Sequence, residues 1–209
     1  MSLKYFRKIE YKIHLSINKM RLKNKTPSII SSNCNGGIIL HDLGLKFNTP
    51  TINLYYTAKD FLKFVKRLDY YLAIDLQDIT GNNLYPIGKL DDIEIHFLHY
   101  NTFTEAKKKW NQRRIRVNKQ NLFIMMTDRD GCTLADIMEF DSLPYSNKVI
   151  FTHKPYPSIK SAVYIHGFEK CDQVGILSDW KSSFIMRRYL DDFDYVSFLN
   201  NNDSSKSLG

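Results

Sequence analysis

The chain has 209 residues and a mass of 24.6 kDa, and 43% of its residues are hydrophobic and 25% charged. This composition is typical of one globular domain and excludes disordered, collagen-like and disulfide-scaffold chains. The longest charge-free apolar run is too short to span a membrane, no secretory signal is recognisable, and the three cysteines cannot all pair. We therefore expect a cytoplasmic protein.

The net charge of +8 is unevenly distributed along the chain. Residues 1–25 contain eight lysines and arginines against one acidic residue, and residues 104–119 contain seven against one. The remainder of the chain is mildly acidic. Because both basic segments are predicted helices without a base-reading motif, we do not expect a nucleic-acid partner.

The first basic segment is predicted to form an amphipathic helix, with its lysines mostly opposite an apolar stripe. The stripe consists of Phe6, Ile9, Ile13, Ile17 and Met20. Two interpretations stay open: the helix makes a peripheral contact with an anionic membrane surface, or it packs on its own domain and leaves a solvated basic face. We accordingly divide the chain into this helix (residues 1–25), one α/β domain (26–199) and a polar, flexible tail (200–209).

Strands and helices alternate through the α/β domain. The predicted strands cover residues 27–31, 51–55, 92–100, 122–126, 148–152 and 162–165. The predicted helices cover residues 38–43, 105–116 (capped by Thr104) and 133–140, another follows the cap Thr57, and one or two lie between residues 180 and 199. A glycine turn at residues 81–83 is expected to close a hairpin. The alternation predicts a three-layer, open and mainly parallel Rossmann-like sheet with helices on both faces.

Sheets of this kind bind ligands beyond the carboxyl ends of their strands. The first candidate there is the turn that contains Asn33, Cys34, Gly36 and Gly37. A helix dipole and unpaired backbone N–H groups would stabilise a thiolate or a bound anion, and the glycines would let a ligand approach the backbone. Three interpretations stay open: Cys34 is a nucleophile beside an oxyanion hole, the turn cradles a phosphate, or Cys34 is an inert packed side chain.

Two histidines end other predicted strands. His99 lies at the carboxyl end of the strand 92–100, with His96 on the opposite face, so these two do not converge on a metal. His99 is a candidate general base that could meet Cys34 if their strands are neighbours, and His153 is a candidate ligand-binding residue. For each candidate the alternative is a structural histidine held by hydrogen bonds.

An arginine is predicted inside a helix face that otherwise points inward. Arg113 shares this face of the helix 105–116 with apolar neighbours, and a buried arginine needs a partner. It either binds a phosphate or carboxylate through its planar fork or forms an ion pair with Asp91 or Asp92.

A pair of aspartates, Asp128 and Asp130, follows the apolar strand 122–126. The pair is similar to the motif with which many glycosyltransferases hold a divalent cation across a nucleotide diphosphate. It therefore predicts a site for Mg²⁺ or Mn²⁺, with Asp128 as a catalytic carboxylate. The alternative is that both aspartates cap turns.

Several short motifs occur together: Asn33-Cys34-x-Gly36-Gly37, Thr49-Pro50-Thr51, Tyr85-Pro86-Ile87-Gly88, the histidine strand 92–100, Lys109-Trp110-x-x-Arg113 and Asn147-Lys148-Val149. Over about residues 26–185 they resemble a bacterial family of unknown function whose members are commonly labelled exopolysaccharide biosynthesis proteins. The resemblance implies a role in surface-polysaccharide assembly and carries over no catalytic residues.

Two functions are compatible with these residues. The first is a glycosyl- or acyltransferase that acts on a phosphorylated or nucleotide-linked sugar at the strand ends, with Cys34 as the covalent nucleophile in the acyltransferase version. The second is a non-catalytic scaffold protein that docks on membrane-associated polysaccharide machinery through its N-terminal helix. The first function would make the protein an enzyme, and the second would not.

Overall fold

The computed structural model describes residues 3–182 and 187–201, with side chains from residue 9 onward. The helices are α1 (Leu3–Arg21), α2 (Asn35–Asp42), α3 (Ala58–Lys66), α4 (Leu68–Ala73), α5 (Phe103–Arg114), α6 (Leu134–Ser142) and α7 (Tyr195–Asn200). The strands are β1 (Ser28–Ser31), β2 (Gln77–Asp78), β3 (Ile87–Leu90), β4 (Ile93–His96), β5 (Leu122–Thr127), β6 (Lys148–Thr152) and β7 (Ala162–Tyr164). Short 3-10 helices lie at Lys119–Asn121 and Tyr189–Asp192.

A parallel sheet of four strands in the order β1-β5-β6-β7 forms the centre of the fold. Side chains along β5 alternate between its two faces: Ile124 and Met126 enter one core, and Phe123 and Met125 enter the other. The first core also contains residues of α3, α5 and α6, and the second contains residues of α2 and α7. The predicted α/β fold, with a parallel sheet covered by helices on both faces, is therefore confirmed.

The predicted hairpin is confirmed as part of a second sheet. Strands β2, β3 and β4 form a small antiparallel sheet, with Asp78 opposite Gly88 across the hairpin and Gly88 opposite Ile95. The strand predicted over residues 92–100 is too long. It ends at His96, because the chain then turns and the Tyr100 N–H donates to the Phe97 carbonyl.

The prediction of a strand over residues 51–55 is wrong, although this segment runs beside the outer edge of β1. The Ser31 N–H donates to the hydroxyl of Thr51 at 3.0 Å, so a side chain takes the place of a strand partner. Asn53 has a φ of 62°, which interrupts the extended conformation. Tyr55 then pairs through its backbone with His96 of β4. The segment thus connects the two sheets.

Threonine caps set the start of three helices. Thr57 accepts the Asp60 N–H at 3.2 Å, as predicted, and Thr133 forms a capping box at the start of α6. In α5 the cap is Thr102 and not Thr104, because the Thr102 hydroxyl accepts the Glu105 N–H at 3.2 Å.

Helix α1 packs on the domain, but the face that contacts the domain is not the apolar stripe. Leu22 just beyond its end is buried, Asn18 donates to the Tyr195 hydroxyl at 3.0 Å, and Tyr11 donates to Asp42 at 3.3 Å. The stripe from Ile9 onward points to solvent, and the Phe6 side chain lies outside the described residues. Within the described ranges no helix is both long and apolar enough to cross a membrane. Residues 202–209 of the predicted tail also lie outside those ranges.

A buried ion-pair network ties α2 to the C-terminal part of the domain. The Arg188 guanidinium lies 2.6 Å from Asp42 at the end of α2 and 2.9 Å from Asp191. No side chain of the three is more than 8% exposed. The ring of Tyr11 from α1 covers the guanidinium at 4.9 Å, so three segments that are distant in sequence meet at one cation.

We expect the substitution Arg188→Met to lower the free energy of unfolding by about 3–5 kcal/mol, because it leaves two buried carboxylates without their cation. Arg21→Met is the matched control: its partner Asp194 is 49% exposed, and exposed pairs contribute about 1 kcal/mol or less. Urea unfolding of both variants measures the difference. Equal losses of unfolding free energy in the two variants would show that the Arg188 network stabilises the fold no more than the exposed Arg21–Asp194 pair does.

Candidate functional site

A cleft of about 550 Å³ lies beyond the carboxyl ends of β1 and β5. Its polar lining includes Asn33, Cys34, Tyr55, His99, Arg129 and Asp130. Ile38, Leu54 and Leu98 supply apolar lining, and residues 175–178 close one side. The cleft therefore lies where the sheet rule places ligand sites, and it brings together four of the predicted site residues, Asn33, Cys34, His99 and Asp130.

Asn33 fixes the floor of the cleft at the point where β1 ends. Its side-chain amide donates to the hydroxyl of Thr127, the last residue of β5, at 3.0 Å. Its side-chain oxygen accepts the Asn35 N–H at 3.2 Å. Asn33 therefore joins the ends of two neighbouring strands to the start of α2.

Cys34 is a half-buried thiol at the N-terminus of α2. Its Sγ donates to the Leu54 carbonyl oxygen at 3.7 Å. Burial raises the pKa of this thiol, and the backbone hydrogen bonds only partly oppose that shift. A nucleophilic cysteine needs a lowered pKa. His99 lines the same cleft as an exposed side chain, but the hydrogen bond of Cys34 is to Leu54 and not to His99.

The first N–H groups of α2 are largely occupied by neighbouring side chains. The Asn35 N–H donates to Asn33, and the Gly36 N–H donates to the Ser31 hydroxyl at 3.4 Å. A phosphate at this helix start would have to displace these bonds. The geometry therefore gives little support to the interpretation of the turn as a phosphate cradle.

Gly36 and Gly37, predicted to lie in a turn, belong to the first turn of α2, which begins at Asn35, and they serve packing between elements. A Cβ atom on Gly36 would lie 2.8 Å from Cγ2 of Ile29 and 2.9 Å from Cβ of Ser31. A Cβ atom on Gly37 would lie 3.1 Å from Cδ1 of Ile52. Both glycines are buried and neither lines the cleft. Gly36 lets α2 approach β1 closely, Gly37 lets α2 approach Ile52, and neither glycine lines the site of a ligand in the cleft.

The Asp128 carboxylate is directed into the protein, away from its expected place in a metal site. It accepts N–H groups from Val174 at 2.8 Å and His153 at 2.7 Å, and its Oδ2 lies 2.5 Å from His153 Nδ1. Since this carboxylate already accepts neighbouring amides, the ring nitrogen that faces it carries the proton. Asp128 and His153 thus form a buried hydrogen-bonded pair, and neither lines the cleft.

Asp130 is the member of the predicted aspartate pair that lines the cleft. Its φ of 58° belongs to the left-handed region, and its backbone binds the Gln173 side chain and the Ala58 N–H. Burial raises the pKa of its carboxyl, and the nearby Arg129 and His96 oppose this shift. In the described part of the chain no group of three or more His, Cys, Asp or Glu side chains is arranged to hold a metal ion.

Two further residues of the cleft, Arg129 and Tyr55, are not predicted from the sequence. Arg129 donates one guanidinium N–H to the Val174 carbonyl at 3.3 Å and lines the cleft. Arg129 lies between the two aspartates at the end of β5, so its position beyond a parallel strand was a signal in the sequence that could have identified it. The Tyr55 ring stacks on His96 with centroids 4.5 Å apart, and its hydroxyl lies 3.1 Å from that of Tyr85. Tyr55 was hidden because its segment was predicted to be a strand.

Arg113 does not line the cleft. One of its guanidinium nitrogens donates to the Tyr100 hydroxyl at 2.8 Å, and the group lies 5.4 Å from the ring centre of Phe47. The predicted ion pair with Asp91 or Asp92 is wrong. Asp91 accepts a hydrogen bond from Tyr70, and Asp92 accepts one from Tyr71 and pairs with Lys63 at 2.9 Å.

A depression of about 480 Å³ lies beside the hairpin and offers less chemistry than the cleft. The titratable side chains in its lining are those of Asp78 and Tyr85. The Asp78 carboxylate already accepts the hydroxyl and the N–H of Thr80, at 2.5 and 2.9 Å. The cleft is therefore the candidate site.

Gly36→Ala is expected to lower the free energy of unfolding by about 1–3 kcal/mol, because the new methyl group would meet atoms held close to the β1 backbone. Gly37→Ala is the matched control in the same helix, since its methyl group would meet only the side chain of Ile52, with the terminal Cδ1 at 3.1 Å as the nearest atom. Chemical denaturation of both variants tests the difference. A neutral Gly36→Ala would contradict the packing role.

Cys34 is expected to react with iodoacetamide more slowly than the exposed Cys171 at neutral pH, because burial shields its thiol and raises its pKa. Its alkylation rate should go on rising with pH beyond the range in which an ordinary thiol is already fully ionised. Mass spectrometry of each cysteine peptide over a pH series measures both rates. Faster labelling of Cys34 at pH 7 would restore the nucleophile interpretation.

Comparison with known proteins gives a family for this chain. A protein of Haemophilus influenzae, described as an uncharacterized protein, is 51% identical over 180 residues, which cover 86% of this chain and 87% of the relative. Residues 5–200 match the family described as a domain of unknown function, DUF1919. The chain therefore belongs to the DUF1919 family.

Proposed function

We propose that the cleft binds a phosphorylated or nucleotide-linked sugar and that the protein is a transferase of surface-polysaccharide assembly. The observation that carries this proposal is the meeting of Arg129, Asp130 and His99 in one cleft at the strand ends. A cation, a carboxyl group and an imidazole are then available to one ligand.

The size and lining of the cleft suit such a ligand. A volume of about 550 Å³ lies within the range of about 300–1,000 Å³ that is typical of small-molecule sites. The apolar side chains of Ile38, Leu54 and Leu98 offer a surface for a sugar or base ring. The polar groups at the strand ends would fix the orientation of the bound ligand.

Arg129 is the residue that we assign to the phosphate. A guanidinium group presents five N–H donors in a planar fork that matches phosphate oxygens. The carbonyl of Val174 holds one nitrogen of this fork, which restricts the orientation of the group. The remaining donors are available to a ligand in the cleft.

Asp130 and His99 are the candidate bases for the transfer. In a glycosyl transfer, the acceptor hydroxyl oxygen bonds to the anomeric carbon while the bond from that carbon to the phosphate oxygen breaks. The acceptor proton passes to the base, and the phosphate leaves with the electron pair beside Arg129. Burial raises the pKa of Asp130, which makes its carboxylate a stronger base than an ordinary one.

This proposal gives Cys34 no covalent role. Its neutral, half-buried thiol is unsuited to acyl transfer, although it lines the cleft. A divalent ion such as Mg²⁺ or Mn²⁺ would find the carboxylate of Asp130 and the ligand's own phosphates in the cleft. The ligand screen therefore runs with and without each ion.

The test is a thermal-shift screen of the full chain against nucleotide sugars, nucleoside diphosphates and inorganic phosphate. A ligand at about a hundred times its Kd should raise the Tm by about 5–10 °C. Arg129→Ala should abolish the shift. Arg113→Ala is the matched control, since it removes the same side chain from outside the cleft and should keep the shift.

His99→Ala guards against an indirect effect of Arg129 on folding, because His99 is exposed in the cleft wall and its removal should leave the Tm of the free protein unchanged. It should reduce turnover of the ligand that the screen identifies. A shift that Arg113→Ala abolishes and Arg129→Ala retains would place the anion elsewhere. The absence of any shift would favour the non-catalytic scaffold protein.

A further inference from the structure

Helix α1 packs on the domain through one face, which includes Tyr11 and Asn18, and the domain leaves the opposite, apolar face uncovered. The outer face carries Ile9, Ile13, Ile17 and Met20, which are spaced by four, four and three residues and form one stripe. Their side chains are 41%, 54%, 45% and 78% exposed, in that order. Four large apolar side chains in a single exposed row mark an interaction surface.

The charge beside this stripe selects the kind of partner. Lys12 and Lys19 lie along one side of the stripe on α1, both are exposed, and neither forms an ion pair within the described ranges. Arg21, by contrast, is neutralised by Asp194. Residues 1–25 carry eight basic residues against Glu10 alone. The partner must therefore offer an apolar layer together with negative charge.

We propose that α1 is a membrane-surface helix that lies in the plane of an anionic lipid bilayer. Its length of 19 residues corresponds to about 28 Å along the surface. The stripe enters the boundary between head groups and acyl chains, and the lysines contact the head-group phosphates. This surface is separate from the cleft, so the inference goes beyond the proposed sugar transferase and does not rest on it.

A second copy of the chain fits this surface poorly. Pairing two stripes would bring together two segments that each carry eight basic residues and one acidic residue, and like charges repel across an interface. An anionic bilayer meets both requirements at once, since it supplies the apolar layer and the negative charge. An acidic protein partner would supply only as much apolar surface as its own patch exposes.

Point substitutions on the outer face are better probes than removal of the helix. The inner face of α1 contains Asn18, which bonds to Tyr195, and it is followed by the buried Leu22. Deletion of this segment would open the core. Ile13 and Ile17 are half exposed and contact solvent on the outer face, so polar residues at these positions should leave the fold intact.

The experiment is co-sedimentation of the full chain with vesicles of equal parts phosphatidylglycerol and phosphatidylcholine, compared with vesicles of phosphatidylcholine alone. We expect binding to the anionic vesicles that weakens as salt is added. Ile13→Asn with Ile17→Asn should weaken this binding at least about tenfold, and Lys12→Gln with Lys19→Gln about 30-fold.

Matched controls come from other surfaces of the domain. Ile115→Asn with Met138→Asn removes two side chains that are 83% and 59% exposed, and Lys108→Gln with Arg116→Gln removes two charges of the second basic segment. These variants should bind as the unaltered chain does. Arg129→Ala should also bind, which separates this result from that of the ligand screen.

Four outcomes would overturn the proposal. The first is no sedimentation of the folded chain with anionic vesicles, and the second is an equal loss of binding in the control variants. The third is a stripe-dependent dimer in solution without vesicle binding, which would assign the stripe to a second copy. Capture of an acidic protein without vesicle binding overturns it in the same way.

Discussion

The backbone of an edge strand must find hydrogen-bond partners, and in this protein β1 finds them in a side chain. Its inner edge pairs with β5, while its outer N–H at Ser31 donates to the hydroxyl of Thr51. Thr51 is itself held by the hydroxyl of Thr49 at 2.9 Å. Because no second ladder forms, the chain is free to bend at Asn53 and to direct Tyr55 into the cleft. The contact between the two sheets and one wall of the candidate site both depend on this side-chain hydrogen bond, which replaces a neighbouring strand.

The sequence predicts elements well where burial alone determines them. Strands β5 and β6 are apolar on both faces. Their position in the chain, and their place in a parallel sheet with helices on both sides, therefore follow from the sequence pattern. In the segment 51–55 the apolar Ile52 and Leu54 alternate with polar residues, as in a half-buried strand, but the segment is not a strand. The left-handed Asn53 and the side-chain hydrogen bond of Thr51 are not visible in that pattern. The error in the α5 cap has a similar cause, since two threonines both suit a helix start and only the fold selects Thr102.

Side-chain direction limits what can be predicted of the site. The position of Asp128 and Asp130 after a strand is correctly predicted, yet the first turns inward to His153 and the second faces the cleft with Arg129. That division depends on the amides of Val174 and His153, which come from chain segments far away in sequence. The same limit applies to Arg113, whose partner is the Tyr100 hydroxyl and not an acid. Spacing along the chain identifies the strand end, and tertiary hydrogen bonds decide which of its residues a ligand meets.

The inner face of α1 has a consequence for how the protein is made. Asn18 and its partner Tyr195 are 177 residues apart, and the same separation divides Lys23 from Asn200. During translation α1 therefore leaves the ribosome long before α7, which completes the core beneath it. The inner face of α1 and its apolar stripe are both uncovered for that period, and uncovered apolar surface favours premature association of a nascent chain. The domain can therefore close on the inner face of α1 only after α7 has been synthesised.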